Sequence, residues 1–273
     1  MTKSIRPVRT NHMNLVLENV EASADHFRQA YGAELLADMP QRELHAYLFE
    51  IGRVIFEVFV PYEFLLNARY GPHYVGIEYQ ADIDEVREAI AERGIRIVRD
   101  IGLALHTHPA DCFGVSFEFY GGYFHDREWD MLDGAKMLSA EYWRDEHPLG
   151  LTGLKAYTVA VSDIDAASAF MQGFLSGDPV YEASREGIAG RAVGLQVCDA
   201  VLELVTPMGE GILQRHLQRY GDGIRSTVFG VRDIEQARRY FADRGIETEP
   251  GGAPDSFAVA ETANLGVIFE FRE

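Results

Sequence analysis

DIDEVREAIAERGI (82–95) and DIEQARRYFADRGI (233–246) decide the fold. Both open with Asp-Ile and a second acidic residue, and both close with Arg-Gly-Ile. In the first, Asp82 or Asp84 can cap a helix, while Ile83, Val86 and Ile90 fall on one face. Gly94 suits the turn that ends it. One such helix is ordinary; two with the same punctuation predict a duplicated chain. Further matches follow outward in the same order. LVLENVEAS (15–23) parallels VAVSDIDAA (159–167), and VIFEVFVP (54–61) parallels AVLELVTP (200–207). Arg69-Tyr70-Gly71 returns as Arg219-Tyr220-Gly221, and GVSFEF (114–119) as GVIFEF (266–271). Chance similarity within a generic α+β chain would not preserve that order.

Each copy divides again. A module opens with an apolar strand, MNLVL (13–17) or YVGIEY (74–79), and continues with an acid-capped helix. Short strands follow: AYLFEI (46–51) and VIFEVFV (54–60) in the first module, ALHTHP (104–109) and GVSFEFY (114–120) in the second. The pattern is βαβββ four times, an α+β fold. The expected domains are 1–122 and 151–273, with 123–150 as a partly helical connection.

Composition narrows the function. The 273 residues are 47% hydrophobic, as in a folded globular protein, and carry 43 acidic against 25 basic side chains, a net charge of −18. That charge opposes a general nucleic-acid or anionic-membrane surface. No apolar run approaches the roughly 18–20 residues of a membrane span. MTKSIRPVRT lacks the apolar core of an export signal, and two cysteines, Cys112 and Cys198, suit a reducing compartment. A cytoplasmic protein without nucleic-acid or membrane partners is expected; a homodimer stays open.

The histidines are uneven. His12, His26, His45, His73, His106, His108, His125 and His147 lie in the first 150 residues, and only His216 lies beyond. A metal or acid–base site confined to one half would produce that skew. Polar residues at odds with apolar strands are the candidates: His12, Glu57, His73 and Glu118. Phe117 and Phe119 flank Glu118 and must face away from it. A buried carboxylate needs a cation or a donor, and two imidazoles with one or two carboxylates suit a divalent transition metal.

Here the chain resembles the vicinal oxygen chelate superfamily, which includes glyoxalase I, methylmalonyl-CoA epimerase and the extradiol dioxygenases. The resemblance rests on HMNLVLENVEASADHF (12–27), GPHYVGIEYQADIDEV (71–86) and HPADCFGVSFEF (108–119), and extends over nearly the whole chain. It implies two tandem half-open barrels of paired βαβββ modules. It also implies one divalent ion (Zn, Mn, Co, Ni or Fe(II)) held by His12, His73 and Glu118, with Glu57 as a fourth ligand or a base. The second copy acts as an internal control. His12 aligns with Ala156, His73 with Ile224 or Ser226, and His108 with Ala260, while Glu57 and Glu118 keep counterparts in Glu203 and Glu270. The second barrel is therefore expected to hold no catalytic metal.

Weaker candidates surround these. His106 and His108 are candidate acid–base groups, although His108 suits a role in ordering its turn. Glu43, His45 and Glu50 lie on or beside the strand where the epimerase branch places a catalytic glutamate. His26, His125 and His147 are expected at the surface, as are Arg42, Arg53 and Arg69. No phosphate-binding glycine loop or serine nucleophile elbow occurs. The expected activity is a metal-dependent isomerase, epimerase or lyase acting beside a carbonyl through an enolate. The alternatives are an Fe(II) extradiol-type ring-cleaving dioxygenase and a metal-free ligand-binding module.

Overall fold

The structure is a computed structural model that describes residues 2–62, 71–125, 127, 128, 132 and 134–273. Arg69 and Tyr70 of the repeated tripeptide lie outside the described residues. The four modules are present. The first comprises β1 (Arg9–Val16), α1 (Val20–Tyr31), β2 (Glu34–Pro40), β3 (Leu44–Ile51) and β4 (Val54–Pro61). The second comprises β5 (His73–Gln80), α2 (Ile83–Arg93), β6 (Ile97–Asp100), β7 (Ala104–Thr107) and β8 (Ser116–Tyr120). In the third, β9 (Leu151–Ala160) leads to α3 (Ile164–Leu175), β10 (Asp178–Arg185), β11 (Gly190–Val197) and β12 (Ala200–Pro207). α4 (Ile212–Tyr220) precedes the fourth, which runs β13 (Gly223–Val231), α5 (Ile234–Ala242), β14 (Thr248–Pro250), β15 (Phe257–Val259) and β16 (Ile268–Arg272). Among its described residues the connection contains one π-helical turn, Tyr142–Glu146. No helix among the described residues is long and apolar enough to cross a membrane.

The helix ends are those the sequence encodes. Asp82 accepts from the amides of Asp84 and Glu85, and Gly94 closes α2 in the left-handed conformation. Asp163 and Asp233 cap α3 and α5 in the same way, accepting from Ala166 and Gln236. Asn19 caps α1. The strands form two eight-stranded sheets with identical topology, β2-β3-β4-β1-β5-β8-β7-β6 and β10-β11-β12-β9-β13-β16-β15-β14. In the first, β1 runs parallel to β4 and β5 parallel to β8, while hairpin neighbours run antiparallel. The second repeats this with β9–β12 and β13–β16.

The chain packs as two compact units. One comprises Met1–Asn11, Val75–Tyr123 and Ala156–Arg225. Its core sets Phe117 and Phe119 against Phe174 of α3 and joins the Tyr79 and Tyr157 hydroxyls in a buried hydrogen bond. The other comprises His12–Tyr74, Phe124–Lys155 and Ser226–Glu273. Its core is aromatic: Phe27 stacks on Phe49 at 4.6 Å, Phe56 lies 5.1 Å from Phe269, and Phe257 stacks on Phe271 at 5.1 Å. Each such ring removes some 150–250 Å² of apolar surface from water, the largest stabilising term available to these layers.

The connection adds a buried polar joint to this second unit. Glu50 of β3 is fully buried, and its Oε1 accepts from Trp143 Nε1 and Leu138 N, both at 2.8 Å. Burial pushes its carboxyl up to about 7, although the two donors pull the other way. His147 is also buried rather than at the surface as expected. Its ring packs 4.7 Å from Trp143, and a Cβ on Gly32 would lie 2.6 Å from its Nε2. Burial holds its imidazole down at about 4, so it stays neutral. His26 is half-buried, with Nε2 2.9 Å from Asn264 Oδ1.

Two predictions follow from this packing. A Cβ on Gly76 of β5 would lie 1.8 Å from the Ser116 carbonyl oxygen on β8. Gly76→Ala should therefore cost about 3 kcal/mol or more in urea unfolding, because backbone must move. Glu50 binds its proton more tightly folded than unfolded, so its stabilising contribution is complete below about pH 4.5 and is lost as pH rises through about 7. Glu50→Gln should raise the melting temperature at pH 8, with the gain shrinking toward pH 4.

Candidate metal centre

Strand side chains alternate between the two faces of a sheet, so register sorts the polar residues. His12 stands opposite Ile55 and Asn14 opposite Glu57, placing His12, Asn14 and Glu57 on one face. Glu78 stands opposite Glu118, and His106 opposite Glu118, so these three also share a face. The residues between them, Phe56, Ile77, Phe117 and Phe119, turn to the core.

The two sets meet. One ligand atom from each of His12, Glu78 and Glu118 lies within 4.8 Å of the others, and all three side chains are buried. His106 Nε2 is 2.9 Å from Glu118 Oε1. Glu57 Oε2 is 3.8 Å from His12 Nε2, beyond hydrogen-bond range. Phe124 stacks on the His12 ring at 5.2 Å. Two carboxylates buried side by side carry the costs of desolvation and like-charge repulsion, and a divalent cation offsets both. Imidazole nitrogen and carboxylate oxygen are ordinary ligands for such an ion. The donor set therefore fits a metal.

The second sheet keeps counterparts of Glu57 and Glu118, namely Glu203 and Glu270, in a different setting, and has no glutamate in place of Glu78. Ala156 stands opposite Val201 where His12 stands opposite Ile55, and Val228 stands opposite Glu270 where Glu78 stands opposite Glu118. Glu203 is ion-paired to Arg185, both buried, and accepts from the Tyr181 hydroxyl. Glu270 accepts from Ser226 Oγ at 2.7 Å and Gly252 N at 2.9 Å. There the protein supplies the cation and donors itself.

The remaining expected residues are placed as follows. His73 opens β5, half-buried, with Nδ1 2.6 Å from the Gly71 carbonyl oxygen. It lies five residues before Glu78 and so on the other face of the strand, outside the group of three. His108 caps the 3-10 turn Pro109–Asp111, its Nδ1 accepting from Ala110 N at 3.1 Å. His45 is hydrogen-bonded to Asp38, on the face of β3 that carries Tyr47 and Phe49. Glu43 is exposed between β2 and β3. Glu50 does lie on the face of Leu48, which stands opposite Glu57, but it is occupied by Trp143 and Leu138. Arg42 is exposed, Arg53 donates to the Leu138 carbonyl oxygen at 3.1 Å, and Arg69 lies outside the described residues. Burial pushes the Cys112 thiol up to about 11 and the Cys198 thiol up to about 12, so neither is an activated nucleophile.

Glu78 is the member of this group that the sequence did not single out. The signal was available: it sits between Ile77 and Tyr79 as Glu118 sits between Phe117 and Phe119.

No family model matches the sequence, and no curated protein sequence does. Solved structures match over nearly the whole of this chain. A mutant of 4-hydroxymandelate synthase from Streptomyces coelicolor aligns over 97% of this chain and 92% of its own, with TM-score 0.77 and 13% identity. A variant of homoprotocatechuate 2,3-dioxygenase from B. fuscum aligns over 99% of this chain and 72% of its own, with TM-score 0.64 and 12% identity. Methylmalonyl-CoA epimerase from Mycobacterium tuberculosis aligns over 44% of this chain and 87% of its own at 24% identity, but its TM-score of 0.41 is too low to argue from. Identities of this size speak to fold alone. With four βαβββ modules in two sheets of identical strand order, matched end to end by solved structures, the chain has the fold of the vicinal oxygen chelate superfamily in its tandem form.

Proposed function

We propose that the protein is an enzyme that uses one divalent metal ion to isomerise, epimerise or cleave a small oxygen-chelating substrate beside a carbonyl group. The observation that carries this is the buried group of His12, Glu78 and Glu118, with His106 against Glu118. Those three side chains would hold the ion. When bound, it polarises a carbonyl oxygen and offsets the negative charge left by removal of a neighbouring proton. The other groups on this face supply the proton chemistry. Glu57 is half-buried beside His12, close enough to border a substrate and exposed enough to work as a base. His106, held at Glu118, can return the proton, and its contact orients that carboxylate. Phe124 covers one face of the His12 ring and excludes water from it. In this reading residues 1–122 form the catalytic half and 151–273 a half without metal, where Arg185 occupies Glu203.

A second reading is extradiol-type ring cleavage. Glu57 favours it by standing outside the group of three, because three protein ligands leave three octahedral positions for two substrate oxygens and dioxygen.

The two readings differ in what the metal-loaded protein does to its substrates. Incubation in D₂O with 2-oxo acids, 2-hydroxy ketones and branched acyl thioesters, followed by proton NMR, should show deuterium entering the carbon beside the carbonyl for one class. Glu57→Gln and His106→Gln should each slow that exchange by about 10²-fold or more. Oxygen uptake coupled to ring opening of catechols, without exchange in any carbonyl compound, would replace the first reading with the second.

A further inference from the structure

Glu78 changes the chemistry of the donor set. With His73 in the set, two imidazoles would accompany the carboxylates. With Glu78, one imidazole accompanies two buried carboxylates, and a third, Glu57, lies 3.8 Å from His12 Nε2. No second imidazole joins this group among the described residues. His73 occupies the other face of β5 and meets the Gly71 carbonyl oxygen, while His106 spends Nε2 on Glu118 Oε1. Asn14, buried on the face of His12 and opposite Glu57, adds another oxygen-bearing side chain.

Imidazole nitrogen suits zinc, nickel and iron, whereas carboxylate oxygen suits magnesium, calcium and manganese. We infer that this is a manganese-type centre. Its single histidine and paired glutamates shift preference toward Mn²⁺ and away from Zn²⁺, relative to a two-histidine set on the same strands. The inference rests on the proposed metal centre but not on which reaction it performs. Two glutamates also bring two negative charges to one divalent ion, so the loaded group is electrically balanced and tolerates burial. Glu78 is the selecting residue: its place on β5 is fixed by register with Glu118, and its counterpart in the second copy is the apolar Val228.

The test uses the full-length protein after removal of metal by chelation. Mn²⁺ and Zn²⁺ are titrated separately by calorimetry, and bound Mn²⁺ is read independently from loss of the free-ion EPR signal. The wild type should take up one Mn²⁺ per chain. Glu78→His should raise Zn²⁺ affinity relative to Mn²⁺ by about tenfold or more, and Glu78→Gln should weaken Mn²⁺ by about the same factor. An unchanged affinity ratio in Glu78→His, or undiminished Mn²⁺ binding in Glu78→Gln, would overturn the inference. If Glu78→His does not fold, Glu78→Gln decides. Failure of the wild type to bind either ion removes the centre and the proposed function together. Metal binding that ignores both Glu78 variants removes this inference alone.

Discussion

The separation of β5 and β8 is set where Gly76 meets the Ser116 carbonyl oxygen. Any side chain at Gly76 would push the strands apart, since even a Cβ would lie 1.8 Å from that oxygen. Two residues along, the same pairing brings Glu78 opposite Glu118. The close approach thus holds two carboxylates on one face, and His12 completes a group able to bind a metal. The core depends on the same register. Phe117 and Phe119 reach the apolar side only because Glu118 faces the other way, so a one-residue slip would bury the carboxylates among aromatics.

Duplication gave the fold two versions of this arrangement. Both keep a glutamate on the fourth and eighth strands of the copy, and both must stabilise those charges. The first copy surrounds Glu118 with His106, Glu78 and His12. The second gives Glu203 a buried guanidinium and gives Glu270 a hydroxyl and a backbone amide. Arg185 therefore balances the charge of Glu203, the counterpart of Glu57, which stands outside the group of three in the first copy. A glutamate thus persists at these positions in both copies, while its neighbours differ.

The connection does more than join the copies. Trp143 and Leu138 bind Glu50, Met137 packs with Leu36, Leu48 and Ile55, and Phe124 stacks on His12. A segment expected to be a linker supplies a wall beside the candidate site. The buried His147 belongs to the same packing, which explains why a histidine in a polar stretch left the surface.

The sequence by itself determined the duplication, the βαβββ order and the helix ends, because caps, turn glycines and two-residue alternation are local and leave marks in adjacent residues. It also marked His12 and Glu118 as polar residues in apolar strands. Only the tertiary structure decided which polar residues meet. Glu78 joined the group and His73 did not, since strand parity sends them to opposite faces and register then fixes each face's neighbours. Glu50 likewise needed Trp143, 93 residues away, to become a buried acid. Contacts of that range depend on how the chain returns to itself, and no short stretch of sequence records that.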